Sequence, residues 1–249
     1  MRLAALYDIH GNLPALEAVL DEVRRAGVDA VVVGGDVLPG PMPRETIDCL
    51  AALDLPVHYL TGNGDRVVLT ERRGGDISRE VPEAFRDVIR WSAATLTDAD
   101  AAWIAGWPAT LRLHVPGLGD TLFCHATPRN DVECFTRLTA EERLFEVFDG
   151  VESAVVVCGH THMPFDRTVR GIRVVNAGSV GMPFGDPGAD WLLLGPEVSP
   201  RHTRYDLAAA AARVRASAYP QAEAFAAGHV LRPPSELDML KVFAQAELK

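Results

Sequence analysis

Five short polar clusters in the chain supply oxygen and imidazole side chains of the kind that bind metal ions. The candidate ligands are Asp8, His10, Asp36, Asn63, His125, His160 and His162. Carboxylate, amide and imidazole groups without a thiolate favour Mn, Fe, Zn, Co or Ni over a structural, cysteine-rich zinc site. These side chains suffice for two cations, and a carboxylate such as Asp36 can bridge them.

The spacing of the ligands pairs them along the chain. One residue separates Asp8 from His10, and one residue separates His160 from His162. In a strand, residues two apart point to the same side. Each pair can therefore converge on one centre, provided that the backbone is extended there.

Apolar runs predict the elements that position the first clusters. Residues 2–7, 30–33 and 57–60 are short and mostly β-branched, which favours strands. A helix is predicted between the first two runs, and a second one near 43–53. In this βαβ opening the polar clusters follow the carboxyl ends of strands, where open α/β sheets bind ligands.

The rest of the chain first turns helical and then returns to short strands. Residues 82–107 predict a helical insert over one face, with Thr97 and Asp100 as a capping box. C-terminal helices are expected in about 207–249. Strands are predicted at 111–115, 121–124, 154–158, 165–169, 172–175 and 191–194, with a helix near 139–148. We therefore expect a second sheet, packed on the first and flanked by helices.

Taken in order, the clusters resemble the motifs of the calcineurin-like metallophosphoesterases, which read DxH, GDx, GNH(D/E), H and GHxH. GD and GN pairs are common in turns, so a single match is weak, but the ordered set is specific. The resemblance covers residues 1 to about 195 and is strongest to small phosphodiesterases of the YfcE type. The matching segments are Asp8-Ile9-His10, Gly35-Asp36-Val37, Gly62-Asn63-Gly64-Asp65, His125 and Gly159-His160-Thr161-His162.

The resemblance implies a fold and a ligand arrangement. The fold would be α/β, with two mixed sheets packed face to face and helices outside. From the chain length we expect one domain spanning 1–249. Of two divalent ions, Mn before Fe, Zn, Co or Ni, one would be held by Asp8, His10, Asp36 and His162. The other would be held by Asp36, Asn63, His125 and His160. We assign catalytic roles to Asp36, Asn63 and His125.

The implied activity is hydrolysis of phosphate esters, above all phosphodiesters, by a metal-bridging hydroxide that attacks phosphorus in line. Phosphomonoesterase activity at the same site is the main alternative. A metal-free interaction module, the role of this fold in the retromer complex, would require lost ligands. A nuclease of the same superfamily is disfavoured by the net charge of −10 and the absence of a basic patch.

One residue departs from the family pattern. Gly64 stands where the family usually has a His that orients phosphate and protonates the departing oxygen. Because general acid catalysis contributes roughly 10²–10⁴-fold, we expect the rate to depend steeply on the pKa of the leaving group. We also expect Gly64→His to flatten that dependence, if a side chain fits there.

Several further residues have two interpretations. Asn12 either caps the helix that follows it or contacts phosphate, and Arg129 either neutralises a substrate oxygen or forms a surface salt bridge. We include both with Asn63 as candidate substrate-binding residues. Met182 and Phe184 indicate an apolar rim. The remaining histidines are interpreted as a structural residue in a strand (His58) and as ordinary surface or strand residues (His114, His202 and His229).

The overall composition limits the partners and the compartment. The acidic chain favours a small phosphorylated substrate over a long nucleic acid, and no segment predicts membrane binding. The four cysteines form no CxxC pair and are interpreted as structural thiols. The apolar run before Asp8 is too short for a signal peptide, so we expect a cytoplasmic protein.

Overall fold

Ten β-strands form two sheets in the computed structural model, which describes residues 1–248. In chain order the strands are β1 (Leu3–Leu6), β2 (Ala30–Val33), β3 (Val57–Tyr59), β4 (Thr110–Val115), β5 (Gly119–Cys124), β6 (Val155–Cys158), β7 (Phe165–Val169), β8 (Ile172–Asn176), β9 (Ala189–Leu194) and β10 (Val198–Thr203). The first sheet has the order β10-β9-β1-β2-β3, and the second has the order β4-β5-β6-β8-β7.

Helices cover the outer faces of the sheets. They are α1 (Leu13–Ala26), α2 (Pro43–Ala51), α3 (Asn63–Arg72), α4 (Glu83–Thr95), α5 (Asp98–Ala105), α6 (Glu141–Leu144), α7 (Leu207–Arg215), α8 (Ala222–Phe225) and α9 (Glu236–Gln245). A π-helical turn, Ala226–Leu231, follows α8 directly. None of the helices within the described residues has the length and apolar character needed to span a lipid bilayer.

Both sheets are mixed. In the first, β1, β2 and β3 run parallel, while β9 is antiparallel to β1 and β10 is antiparallel to β9. In the second, β5, β6 and β8 run parallel and the edge strands β4 and β7 are antiparallel. The predicted pair of mixed sheets flanked by helices is confirmed.

The two sheets share an apolar layer. Leu3 and Ala5 of β1, and Tyr7 after it, pack with Phe123 and Val157 of the second sheet. Tyr7 is fully buried, and its hydroxyl donates a hydrogen bond to the carbonyl of Val157 at 3.1 Å. The alternate residues of β1 belong to the helix-covered core instead. A central strand that is buried on both faces explains the uninterrupted apolar run in the sequence.

The predicted helical stretch 82–107 consists of α4 and α5. Thr97 and Asp100 form the expected capping box, since each side chain accepts a hydrogen bond from the backbone N–H of the other. The C-terminal helices also form: α7, α8 and the π-helical turn join an apolar cluster that includes Leu13 and Val88. Within this cluster Trp91 of α4 meets Tyr219 edge to face, with ring centroids 5.4 Å apart.

Three elements differ from the sequence-based expectation. Strand β10 was not predicted because it is a mostly exposed edge strand with Pro200 inside it, and proline removes a ladder donor. Helix α3 was missed because it begins inside a glycine-containing ligand motif. The helix expected near 139–148 is shortened to α6, because the residues after Leu144 form turns.

Candidate metal centre

The predicted ligands lie in loops that leave neighbouring strands of both sheets. Asn63 is the first residue of α3, directly after the loop that leaves β3. The others are Asp8 and His10 after β1, Asp36 after β2, His125 after β5, and His160 and His162 after β6. These four strands are parallel within their sheets, so their carboxyl ends bring the loops together as expected.

Most of the ligands have an unusual backbone conformation. The φ angle is positive at Asp8 (54°), His10 (47°), Asp36 (52°), His160 (65°) and His162 (56°). The condition of extended backbone at the paired ligands is therefore not met. The side chains converge because the chain turns sharply at each ligand. Non-glycine residues in such regions cost of order 1–3 kcal/mol each and cluster at functional sites.

The first group of ligand atoms surrounds Asp8. Its Oδ1 atom lies 3.3 Å from Nε2 of His162 and 3.9 Å from Nε2 of His10. The two Nε2 atoms are 3.2 Å apart, and Oδ2 of Asp36 lies 3.8 Å from Nε2 of His10. Donor atoms this close fit around one ion, because bonds from Zn²⁺ to nitrogen and oxygen ligands are about 2.0–2.2 Å long.

The second group lies on the other side of Asp36. The Oδ1 atom of Asp36 is 3.5 Å from Nε2 of His125, and Oδ1 of Asn63 is 3.1 Å from the same nitrogen. That end of the Asn63 amide also lies 3.0 Å from Nδ1 of His160. The two carboxylate oxygens of Asp36 thus face different groups, which is the position that a bridging ligand requires.

Backbone carbonyls orient three of the imidazole rings. Nδ1 of His125 lies 3.0 Å from the carbonyl of Gly34, and Nδ1 of His162 lies 2.8 Å from that of Met182. In His160 it is Nε2 that meets a carbonyl, 3.1 Å away on Val132. A proton on each of these nitrogens leaves the opposite nitrogen free to bind a metal.

Two supporting side chains were missed by sequence reasoning. The carboxylate of Asp65 accepts hydrogen bonds from the backbone N–H groups of Asp36, Gly62 and Leu38 at 2.8–3.0 Å. Asn176 donates to the carbonyl of Gly159 at 2.6 Å and so steadies the loop before His160. Asp65 stands in one of the motifs quoted above, but its residue type alone did not distinguish support from ligation, and Asn176 lies outside those motifs.

Burial and neighbouring charge set the protonation of the ligands. Burial lowers the pKa of His10 to about 3 and that of His160 to about 3, so both rings are neutral at neutral pH and can bind a metal. Burial raises the pKa of Asp36 to about 6. For Asp8 burial acts upward as well, but His162, His125 and His10 together bring its pKa below the usual range.

Two polar groups in the centre are placed to face a cation. Oδ1 of Asp8 is buried and makes no hydrogen bond to any of residues 1–248. The inward end of the Asn63 amide is surrounded by acceptors: Nε2 of His125, Nδ1 of His160 and the carbonyl of Asp131 at 3.1 Å. With its nitrogen inward the amide donates to these acceptors, and with its oxygen inward it is placed to bind a cation. The donor set therefore fits divalent metal ions.

The other two candidate substrate-binding residues lie outside the centre. Asn12 is fully buried; its Oδ1 accepts from the N–H of Ala15 at 3.3 Å and its Nδ2 donates to the carbonyl of Gly181 at 2.9 Å. The capping alternative is the one that the geometry supports. Arg129 donates to Glu133 at 2.6–2.9 Å, which matches its salt-bridge alternative.

Gly64 is sterically closed to a side chain. Its N–H donates to Oδ1 of Asp36 at 2.7 Å, and a Cβ atom added to it would meet the carbonyl oxygen of Leu38 at 2.3 Å. The condition attached to the Gly64→His expectation therefore fails. A histidine there requires the loop that carries Asp36 to move.

The remaining histidines separate into three remote residues and one that was misassigned. His58 lies in β3, while His114 and His202 contact Asp120 and Asp190 at 3.0 and 2.8 Å. His229 was interpreted as an ordinary residue, and this is wrong: it lines a cavity together with His10, Asp36 and Gly64. No sequence motif near His229 indicated that it would lie beside the metal ligands.

Met182 and Phe184 stand beside the centre. Met182 lines the same cavity, and the Phe184 ring stacks on that of His162, with centroids 5.3 Å apart. Met182 therefore adds apolar surface to the cavity, and Phe184 lies against a ligand outside it.

Known proteins share both the sequence pattern and the fold. The model of the calcineurin-like phosphoesterase superfamily domain matches residues 1–195. The protein MJ0912 of Methanocaldococcus jannaschii, described as uncharacterized, is 25% identical over 180 residues, which cover 72% of this chain and 69% of that protein.

Solved structures of other proteins share the fold of this chain. The hypothetical protein PH1004 from Pyrococcus horikoshii OT3 has a TM-score of 0.78 at 20% identity, covering 94% of this chain and 99% of that one. A metallophosphoesterase from Sphaerobacter thermophilus has a TM-score of 0.70 at 25% identity, covering 91% and 97%. With the ordered motifs and the converged ligands, these matches lead to one conclusion: the chain belongs to the calcineurin-like phosphoesterase superfamily and is a metal-dependent phosphoesterase.

Proposed function

We propose that the protein binds two divalent transition-metal ions, Mn in the first place, and uses them to hydrolyse phosphodiesters of small molecules. One observation carries the proposal: two groups of ligand atoms adjoin at the carboxylates of Asp8 and Asp36, and the two oxygens of Asp36 face different groups. Asp8 belongs both to the group with His10 and His162 and to the group with Asp36 and His125, each with atoms within 4.8 Å of one another. An arrangement with shared anions serves two neighbouring cations better than one.

Each side chain has a definable task in this site. Asp8, His10, Asp36 and His162 would hold one ion, and Asp36, Asn63, His125 and His160 the other. Two bound cations supply Lewis-acid activation of water and neutralise charge that develops on the phosphoryl group. The side chains of the protein position the metal ions and the substrate. Buried carboxylates and fixed imidazoles form a preorganised environment that needs little rearrangement during the reaction.

A diester is preferred to a monoester on grounds of charge. No lysine or arginine is among the residues that line the cavity beside the ligands, as far as the structure describes the chain. A phosphodiester carries a single negative charge, whereas a monoester approaches two at neutral pH. A site whose positive charge comes only from its metals discriminates less against the monoanion.

The test compares metal content with activity. Protein loaded with Mn, and in parallel with Fe or Zn, is analysed for bound metal and assayed with bis(p-nitrophenyl) phosphate and p-nitrophenyl phosphate. We expect a metal-to-protein ratio near two and a higher kcat/KM for the diester. A higher kcat/KM for the monoester would assign the protein to the phosphatases. A ratio near zero with no turnover of either ester would support an interaction module instead.

A further inference from the structure

A cavity of about 320 Å³ opens directly beside the metal ligands. His10, Asp36 and Asn63 form one wall, and the other wall comes from residues of α3, α4 and α8 and of the segments that precede α4 and α8. That wall is apolar and contains Val67, Val81, Phe85, Ile89, Tyr219 and Phe225. A phosphate held by the ligands therefore places its organic substituent against apolar surface.

The charged groups at the cavity restrict what that substituent can be. Apart from the ligand Asp36, the charged side chain in its lining is Glu80, whose carboxylate accepts a hydrogen bond from Arg66 at 2.5 Å. No cationic side chain among residues 1–248 lines the cavity, and the nearby Arg66 is already engaged by Glu80 and Asp131. A substituent with further phosphate or carboxylate groups would therefore find no free counter-charge. It would also lose solvation on entry.

His229 supplies an unpaired polar atom in the same wall. It belongs to the π-helical turn Ala226–Leu231, and its ring lies 5.1 Å from that of Phe225. Its Nδ1 atom is buried and forms no hydrogen bond within the described chain. Burial, assisted by His162, lowers the pKa of His229 to about 4, so the ring is neutral at neutral pH and offers one donor and one acceptor.

These observations indicate what kind of chemical group the cavity can bind. We propose that it binds the organic substituent of the phosphoester, and that this substituent is uncharged and aromatic or otherwise apolar. We further infer that it carries a hydrogen-bonding atom that pairs with Nδ1 of His229. The inference rests on the proposed function, because phosphate at the metal ligands is what directs the substituent into the cavity.

Non-hydrolysable phosphonates separate the two proposals. Calorimetric titration of the Mn-loaded protein measures Kd for inorganic phosphate, methylphosphonate, phenylphosphonate and 4-carboxyphenylphosphonate. Phenylphosphonate should bind on the order of tenfold or more tightly than methylphosphonate, because its ring is removed from water. The carboxylated analogue should lose this gain. If none of the ligands bound, the proposed function would be wrong. Equal Kd values for the methyl and phenyl compounds, with phosphate bound, would overturn only the inference.

Variants test the wall itself. Phe85→Glu places a negative charge at a lining side chain that is 54% exposed, and Leu138→Glu is its matched control at an apolar residue that is 70% exposed outside the cavity. The first change should weaken phenylphosphonate binding at least tenfold relative to methylphosphonate, and the second should leave the ratio unchanged. A ratio unaffected in both variants would contradict the proposed placement of the ring.

His229 is tested with the three hydroxyphenylphosphonate isomers. The best isomer should bind severalfold more tightly than phenylphosphonate. His229→Phe should abolish this difference while keeping phenylphosphonate binding, and His229→Asn, which keeps a polar atom near the position of Nδ1, should retain part of it. A purely structural histidine would affect all the ligands alike, and that result would remove His229 from the proposed contact.

Discussion

The metal centre and the apolar wall opposite it are built by different physical means. The centre is assembled from loops whose side chains are held by backbone hydrogen bonds, in conformations that the chain adopts only under constraint. The wall is assembled from α3, α4, α8, the π-helical turn and the segments that precede α4 and α8, and all of these are held by apolar packing. Changes in the centre should therefore alter chemistry sharply, whereas changes in the wall should alter which molecules bind.

The largest effect is expected from Asp36→Asn. The substitution keeps the shape of the side chain but removes the anion whose two oxygens face both ligand groups. Metal content should fall below two per chain, and kcat/KM should fall at least on the order of 10²–10³-fold, as for the loss of one preorganised electrostatic group. Metal analysis and steady-state kinetics measure both.

His58→Ala is the control for that comparison, since His58 lies in a strand of the same sheet away from the ligands. It should cost about 1 kcal/mol of stability at most and leave the metal content intact. A His58→Ala protein that folds but binds no metal would refute the assignment of the ligands.

A smaller effect is expected from Asp65→Asn. Asp65 binds no metal in our assignment, but it fixes the backbone at Asp36 and Gly62. Loss of such a supporting carboxylate typically costs 10–100-fold in metal affinity. Calorimetric titration with the metal measures this change in affinity.

Asp100→Asn is the matched change, because Asp100 also accepts a backbone N–H three residues earlier in the chain but serves the cap of α5. It should lower Tm without changing metal affinity. Equal metal affinity in both variants would show that Asp65 does not support the centre.

Two glycine substitutions test the contrast between the two regions by their effects on the free energy of unfolding. Gly64→Ala introduces a Cβ atom 2.3 Å from the Leu38 carbonyl and should cost roughly 1–3 kcal/mol. Gly228→Ala, in the π-helical turn of the wall, meets nothing within 4 Å and should be neutral or slightly stabilising. Urea denaturation of both variants tests the pair, and a tolerated Gly64→Ala would reopen the possibility of restoring a histidine there.

The smallest effect is expected from Arg129→Ala. The arginine side chain is 45% exposed and pairs outside the cavity with Glu133, which is buried. Glu133 keeps its hydrogen bond from Thr127, so stability should fall by only about 1 kcal/mol and KM should stay within about twofold. A KM raised tenfold or more for phosphodiesters would return Arg129 to the substrate site.

The same contrast explains what the sequence could predict. Ligands such as Asp36 and His125 were predictable because each follows an apolar strand within a short motif, and the parallel order of the strands brings the loops together. His229 was not, because its place beside His10 depends on how the C-terminal helices pack, and no local pattern encodes that packing. Asp65 was visible as a motif residue, but whether a buried carboxylate binds a metal or a backbone N–H depends on its direction.

The left-handed backbone at five of the ligands constrains how this protein can diverge. Among residues with a side chain, Asp, Asn and His adopt that conformation most readily, and the same three types bind hard or borderline metals. Glutamate is a good ligand by chemistry but lacks that backbone preference. Positions 8, 10, 36, 160 and 162 are thus restricted both by backbone conformation and by metal binding. Active homologues should carry Asp, Asn or His at these positions, and glutamate should be absent from them.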